Sequence, residues 1–353
     1  AVSVVVDELR VGEYLADRWG DRRRTFYQDV RRHPPAHTLC VGVEDVRERQ
    51  YWQLDPEREL DLGSDDAYAE EFRRRFDEAI RCRLRGADEP AVTLSGGLDS
   101  SAVAGIVHEQ HDGTVHTVSN CFEDGSDADE REFLDAMLDT GAFDAHIIDG
   151  DAVDPLDRLQ RRVEIQDGPI HPGMFWHSLA NAERMANEGQ RVTLRGWGGD
   201  QVVSHRYERL RELARRGRVL TLASEMRALR TRKGYPLRSQ LWDEVAIPFA
   251  PAPFRWLWRT VAGADIVETA NPALTTAFVE RLSLRDQLRT LRDESPPART
   301  ARAAHCTSVV EPIHVQMLEL TDRLWARHGL EPRYPFTDRR LVEFCVALPA
   351  AQK

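Results

Sequence analysis

AVTLSGGLDSSAVAGIV, Ala91 to Val107, runs from a four-residue strand pattern through two glycines and an aspartate into a helix of small residues. Working outward, the segments AVTL (91–94), VHTVSNCF (115–122), AHII (145–148) and VTLR (192–195) read as strands. Helical stretches such as DEREFLDAML and HSLANAERMANEG separate them. Strands alternating with helices in units of about thirty residues predict an α/β fold built on a doubly wound parallel sheet. Before it, Tyr68, Phe72, Phe76, Ile80 and Leu84 recur every four residues, so a helix docks one apolar face on the core. DLGSDD (61–66) supplies its loop and N-cap, and Gly86 ends it. Beyond residue 205 the chain is mainly helical. The first sixty residues differ: RTFYQDVRRHPPAHTLCVGV and RERQYWQL alternate at period two around a Pro-Pro break, predicting short strands and turns.

In an open parallel sheet, ligands gather outside the carboxyl ends of the strands, where Ser95 to Ser101 falls. Gly96 and Gly97 let backbone approach an anion, Ser95, Ser100 and Ser101 offer hydroxyls, and the next helix presents free amides and its positive dipole end. The loop has neither the lysine of a Walker A sequence nor G-x-G-x-x-G spacing. Asp99 is repelled by phosphates unless a cation lies between, and Mg²⁺ is the natural bridge. A second glycine loop, LRGWGGDQ, follows the fourth strand and brings Asp200 to the same sheet edge. Either loop alone is equally an ordinary turn; together, in this topology, they favour a nucleotide site.

The 353 residues, 41% of them hydrophobic, suffice for about two domains. A net charge of -11 argues against a nucleic-acid partner. Eleven Arg or Lys against three Glu between His205 and Arg238 run the other way and suit an acidic peptide or phosphates, although a solvated helix pair has the same pattern. Five scattered cysteines, none spaced C-x-x-C, indicate neither a disulfide framework nor a zinc site, and suit a cytoplasmic location. The most apolar window, Val245 to Ala264, carries three prolines and two arginines, which disfavours a membrane span.

SGGLDSS at 95–101 resembles the pyrophosphate loop of the ATP pyrophosphatases. RGWGGDQ (195–201), GLEPRYPFTDRRLVEF (329–344) and VRRHPPAHTL…RQYW (30–52) are similar, in order, to the asparagine synthetase family. The resemblance implies an ATP-pyrophosphatase domain over 63–353 with a helical C-terminal part. It also implies that 1–62 is the β-rich tail of a glutaminase-like domain. By position it carries Ser95, Gly96, Gly97, Asp99, Ser100 and Ser101 onto pyrophosphate, Asp99 and Asp200 onto Mg²⁺, and Val92, Leu94, Val118, Gly196, Trp197 and Gly198 onto the ATP pocket. The implied chemistry is carboxylate activation to an acyl-adenylate, with release of pyrophosphate, followed by attack of an amine.

Trp197 stands where the family usually has a glutamate that helps the ammonia step. With GWGGD and PPAH, this resembles the lasso-peptide cyclases, which join an Asp or Glu side chain of a precursor peptide to its N-terminal amine. That resemblance implies a peptide substrate, a leader-binding or protease partner, and a groove for which the segment from Val245 to Arg259 is the candidate. The alternatives are an asparagine synthetase acting on aspartate and a tRNA-modifying pyrophosphatase. Catalytic candidates are Glu319 and His314, on a helix expected near 314–327, while Glu331, Arg333 and Asp338 are expected to brace the site. The start at Ala1, without a nucleophilic cysteine, and the end at LPAAQK, before a basic loop found in relatives, lead to the expectation of missing segments at both ends and no glutaminase activity in this chain.

Overall fold

The computed structural model describes residues 4–353 except 20, 124–125, 127–128, 142, 157, 170–174, 204–208, 252, 255–270, 272 and 294–297. The chain divides into two compact units, Glu59–His205 with Val315–Lys353, and Ala1–Arg58 with Arg206–His314.

The first of these units holds a five-stranded sheet of β3 (Ala91–Thr93), β4 (Val115–Cys121), β5 (Phe143–Asp149), β6 (Val192–Arg195) and β7 (Glu331–Arg333). The strands lie in the order β5-β4-β3-β6-β7, and every pair is parallel. From β3 the chain steps outward through α3 (Leu98–Gln110) to β4 and through α4 (Arg131–Leu138) to β5. It then returns by α5 (Leu159–Gln166) and α6 (Phe175–Asn187) to lay β6 on the far side of β3. The winding therefore reverses between β3 and β6, the two strands that end in the glycine loops. Four of the five strands follow the sequence pattern. The fifth is Glu331–Arg333, inside a signature too short and proline-broken to show a strand period.

Both sheet faces are covered, as parallel strands require. Ala91 and Val118 pack on one face with Leu179, Ala182 and Met185 of α6 and Leu324 and Trp325 of the Pro312–Ala326 helix. Trp325 donates its indole N–H to Ser178 Oγ at 2.9 Å, which satisfies the one polar atom of a fully buried ring. By strand alternation Val92 and Leu94 point to the opposite face, towards α3. Against α3 lies α2 (Asp65–Arg83), where Ser64 accepts from the Ala67 N–H at 3.2 Å, as DLGSDD implied, and Tyr68, Phe76 and Ile80 are buried. Phe76 stacks on Phe336 with ring centroids 4.5 Å apart.

The other unit carries α1 (Glu8–Leu15) and the antiparallel hairpin of β1 (His37–Val41) and β2 (Val46–Gln50). The alternation of the first sixty residues thus forms a hairpin, and both strands are mostly exposed on each face. The basic stretch forms the Arg209–Arg215 and Val219–Lys233 helices. Arg211 pairs with Glu244 at 2.8 Å and Arg209 with Glu225 at 3.1 Å, whereas Arg227, Arg230, Arg232 and Lys233 are exposed. Much of the Val245–Arg259 segment proposed as a groove lies outside the described residues. Among the described residues no helix is long and apolar enough to cross a membrane.

The signature that contains β7 is braced as expected. Arg333 pairs with Glu331 at 2.8 Å and donates to the Arg85 carbonyl at 2.8 Å. Asp338 caps the Arg339–Ala347 helix through the Arg340 N–H at 3.0 Å and pairs with Arg83 and Arg340, both at 2.9 Å. Those bonds hold its carboxyl well below the ordinary range, against the opposing effect of burial. The stability this contributes is present above the unfolded carboxylate value and is lost as pH falls towards the depressed folded one. Asp338→Asn is therefore expected to cost about 2–3 kcal/mol at pH 7. In chemical denaturation the gap to the parent protein should close as pH falls below about 4.

Candidate functional site

The two glycine loops meet at the carboxyl ends of β3 and β6. In the first, Ser100 Oγ accepts from the Ser95 N–H at 3.1 Å and donates to the Gly97 carbonyl at 3.1 Å. Ser95 Oγ in turn accepts from the Gly97 N–H at 3.3 Å. Ser100 thus spends its hydroxyl on the shape of the loop. The Ser95 hydroxyl also lies 3.1 Å from that of Ser100; Ser95 is exposed and Ser101 half-buried. Gly97 caps α3 without a side-chain hydrogen bond, so the amides of Leu98, Asp99 and Ser100 have no helical acceptor. Leu94 donates to the Val118 carbonyl at 3.0 Å, tying the start of this loop to the middle of β4.

The second loop lies directly on the first. A Cβ on Gly196 would sit 2.7 Å from the Ser100 nitrogen, and one on Gly199 would sit 2.1 Å from the Asp99 carboxyl carbon. No side chain fits in either place, which is the physical reason for glycine at these two positions. Gly198 turns the chain with φ +97° into α7 (Gly199–Val202), whose first turn contains Asp200. The Asp200 N–H donates to the Asp99 carboxylate, yet burial and the neighbouring Asp200 charge outweigh it and push Asp99 above its ordinary value. Among the described residues neither carboxylate has a cationic partner. Two acidic groups brought together this closely, beside free amides, fit a hard divalent cation with oxygen ligands.

The remaining predicted residues divide into core and rim. Val92, Leu94 and Val118 are wholly buried, so what they present to a ligand is backbone. Trp197 is half-buried and packs edge-on against Tyr334 at 6.0 Å. Glu319 lies within 3.9 Å of Arg323 one turn along its own helix, six residues before Trp325. That separation is roughly 9 Å along the axis and about 120° around it, so the carboxylate is turned away from the face that carries Trp325. His314 occupies the first turn of the same helix, at the last position of the other unit.

One residue to which the motifs assigned no role lies at the same strand ends. Arg195 closes β6 and places its guanidinium over Trp325, 4.9 Å from the ring centroid, beside Tyr334. Its Nη1 is sealed from solvent and has no hydrogen-bond partner, and no carboxylate pairs with it among the described residues. Burial pulls this cation below its ordinary pKa. Across the sheet its register partner is Thr93, whose Oγ1 is likewise buried without a partner. Two unsatisfied polar groups side by side at the ligand edge of a parallel sheet mark a place for an anion. The sequence signal was a cation ending an otherwise apolar strand, VTLR.

Replacing Asp99 with Asn removes the repulsion while preserving the shape that Gly199 accommodates. Asp99→Asn is expected to raise the thermal midpoint without divalent cations by roughly 1–2 °C, the discounted effect of one partly exposed like-charge contact. It should also abolish any rise that Mg²⁺ produces in the parent protein. Scanning calorimetry with and without Mg²⁺ reads both effects, and an unchanged Mg²⁺ response would contradict the pairing of Asp99 with Asp200.

Comparison with known proteins gives the family of the chain. The chain is 31% identical over 201 residues to the amidase chry2 of Gibberella zeae, covering 52% of this chain and 30% of that protein. It is 23% identical over 357 residues to asparagine synthetase [glutamine-hydrolyzing] 3 of Bacillus subtilis (strain 168), covering 93% of this chain and 50% of that protein. The chain thus spans half or less of the length of these relatives. Among solved structures it is similar to an NH3-dependent NAD synthetase from Campylobacter jejuni, at 12% identity and a TM-score of 0.29, over 65% of this chain and 98% of that one. The asparagine synthase family model matches residues 71–353, which include both glycine loops, Arg195 and the braced β7 signature, and the chain belongs to that family.

Proposed function

We propose that this protein forms amide bonds at the expense of ATP, cleaving it to AMP and pyrophosphate through an acyl-adenylate. The packing of Gly199 onto Asp99 at the switch between β3 and β6 carries the reading, because it unites an anion cradle with two carboxylates. The amides of Leu98, Asp99 and Ser100 and the hydroxyls of Ser95 and Ser101 bind the β- and γ-phosphates as the helix dipole draws them in. Asp99 and Asp200 hold Mg²⁺, which when bound neutralises charge on the departing pyrophosphate. The Gly196 backbone, held tight against α3, shapes the pocket beside the α-phosphate.

Arg195 receives the acyl substrate. Its guanidinium, backed by Trp325 and neighboured by Thr93, binds a carboxylate and orients it towards the α-phosphorus, so that attack becomes a step between held partners. We further propose that the carboxylate is an Asp or Glu side chain of a precursor peptide and that the acceptor is the peptide's own N-terminal amine, giving a macrolactam. Trp197 supports this reading: an indole at the mouth of the site has no group to take a proton from ammonia and offers a broad apolar wall to a peptide. A partner that delivers the leader-bearing peptide, or removes the leader, belongs to the same proposal, as does a domain boundary near residue 62.

ATP–pyrophosphate exchange tests the activation step and product mass tests the acceptor. A peptide with an internal Asp or Glu is expected to stimulate exchange and lose one water on cyclisation, whereas conversion of aspartate and ammonia to asparagine would replace the macrolactam reading with asparagine synthesis. Asp99→Asn should abolish exchange. Arg195→Leu should lower kcat/KM for the acyl substrate about 10- to 100-fold, the loss of one charged hydrogen bond, while leaving the KM for ATP within about twofold. An ATP-specific defect would move Arg195 to the nucleotide.

A further inference from the structure

A second constellation of chemistry-bearing side chains lies at the other end of the sheet. His116 is the second residue of β4, and Asp144 and His146 are the second and fourth of β5, its neighbour at the sheet edge. In register His116 faces Asp144 and Val118 faces His146, so all three side chains leave the same sheet face. His116 Nδ1 is 3.2 Å from Asp144 Oδ2, His146 Nε2 is 3.6 Å from the same oxygen, and the two nitrogens are 3.4 Å apart. The imidazoles lie nearly parallel, at 8°. His146 is 6% and His116 14% exposed, whereas Asp144 is 51% exposed and opens the cluster to solvent.

We propose that His116, Asp144 and His146 bind a divalent transition metal, with Zn²⁺ as the best fit. Zinc bonds of about 2.0–2.1 Å to nitrogen and oxygen generate a tetrahedron with edges of about 3.3–3.4 Å. The three distances scatter about that edge, while the cis edges of an octahedron with the same bonds are shorter, at about 2.9 Å. Two imidazoles and one carboxylate are zinc-type donors, unlike the all-oxygen set that Asp99 and Asp200 offer Mg²⁺. Water on the open side of Asp144 completes the fourth position. The site is distinct from the nucleotide edge: His116 stands near the amino end of β4, five residues before its carboxyl end, a distance of roughly 16 Å.

A helix supplies the outer support. Glu188, just past α6, places Oε1 3.6 Å from His146 Nδ1 and 3.0 Å from Arg184 Nε. With the metal on Nε2, the remaining ring proton sits on Nδ1 and faces the nearby Glu188 carboxylate, whose negative charge favours that tautomer. Arg184 opposes it. Its Nη2 lies 3.1 Å from Nδ1, and donation there selects the tautomer with the proton on Nε2, which cannot bind metal through that atom. Metal binding therefore releases Arg184 from the ring while Glu188 keeps its Nε, and the half-exposed side chain has room to move. The metal joins edge strand β5 to β4 and locks α6 against them, protecting a strand that otherwise has one unpaired side.

The full chain, stripped of metal with a chelator, is titrated with Zn²⁺ against a chromophoric competitor and separately with Co²⁺. One equivalent of Zn²⁺ is expected, with tetrahedral Co²⁺ absorption bands and a rise in the thermal midpoint on adding Zn²⁺. His116→Ala and Asp144→Asn should each weaken binding at least tenfold and remove the thermal rise; the exposed position of Asp144 makes its variant safe for folding. Glu188→Gln should weaken binding about 10- to 100-fold, and Arg184→Ala should tighten it. Asp99→Asn should bind Zn²⁺ as the parent does. No saturable equivalent in the parent, or Zn²⁺ affinity unchanged in both His116→Ala and Asp144→Asn, would overturn the proposal.

Discussion

Everything at the ligand edge of this protein depends on the closeness with which one glycine loop lies on another. Gly196 rests on the Ser100 amide and Gly199 on the Asp99 carboxylate, at separations that leave no space for a side chain. Because β3 and β6 are adjacent parallel strands on opposite sides of a winding reversal, their loops emerge together and must share one small volume. The absence of Cβ atoms allows that sharing. Its electrostatic consequence is that two carboxylates are confined beside a helix N-terminus, an arrangement unfavourable by itself and favourable when cations and phosphates are present.

The same economy of charge runs through the rest of the unit. Asp338 is answered twice, by Arg83 and Arg340, and its depressed pKa marks a group whose role is to hold the end of the sheet. Arg195 lies over an aromatic face beside Tyr334, with no carboxylate partner among the described residues. A partly buried charge whose Nη1 is sealed from solvent without a partner costs stability unless something completes it. The contrast between these neighbouring elements is one of charge: paired ions brace β7, whereas Asp99 and Arg195 have no ion-pair partner among the described residues.

Much of the fold could be read from local pattern. Strand and helix periods from Ala91 to Arg195 located four of the five strands of the sheet, DLGSDD announced the start of α2, and SGGLDSS marked the turn from the first strand into α3. Three things lay beyond that reading. Glu331–Arg333 is a strand only because β6 offers it a partner, since three residues around a proline carry no period of their own. Glu319, a catalytic candidate by sequence, lies within 3.9 Å of Arg323 on its own helix, a neighbour that no motif indicated. Ser100, one of three hydroxyls in the motif, is consumed by the loop it shapes.

The sequence by itself determined the alternating α/β class, the two glycine loops and the residue types available for a phosphate and a cation, because each is set by neighbours within a few positions along the chain. Tertiary structure alone decided that Gly199 packs onto the Asp99 carboxylate, that Arg195 lies on Trp325 beside an unpartnered Thr93, and that His116, Asp144 and His146 converge within 3.2–3.6 Å. The reason is geometric. Strand order and register choose which distant side chains share a face, and burial then sets what their charges cost.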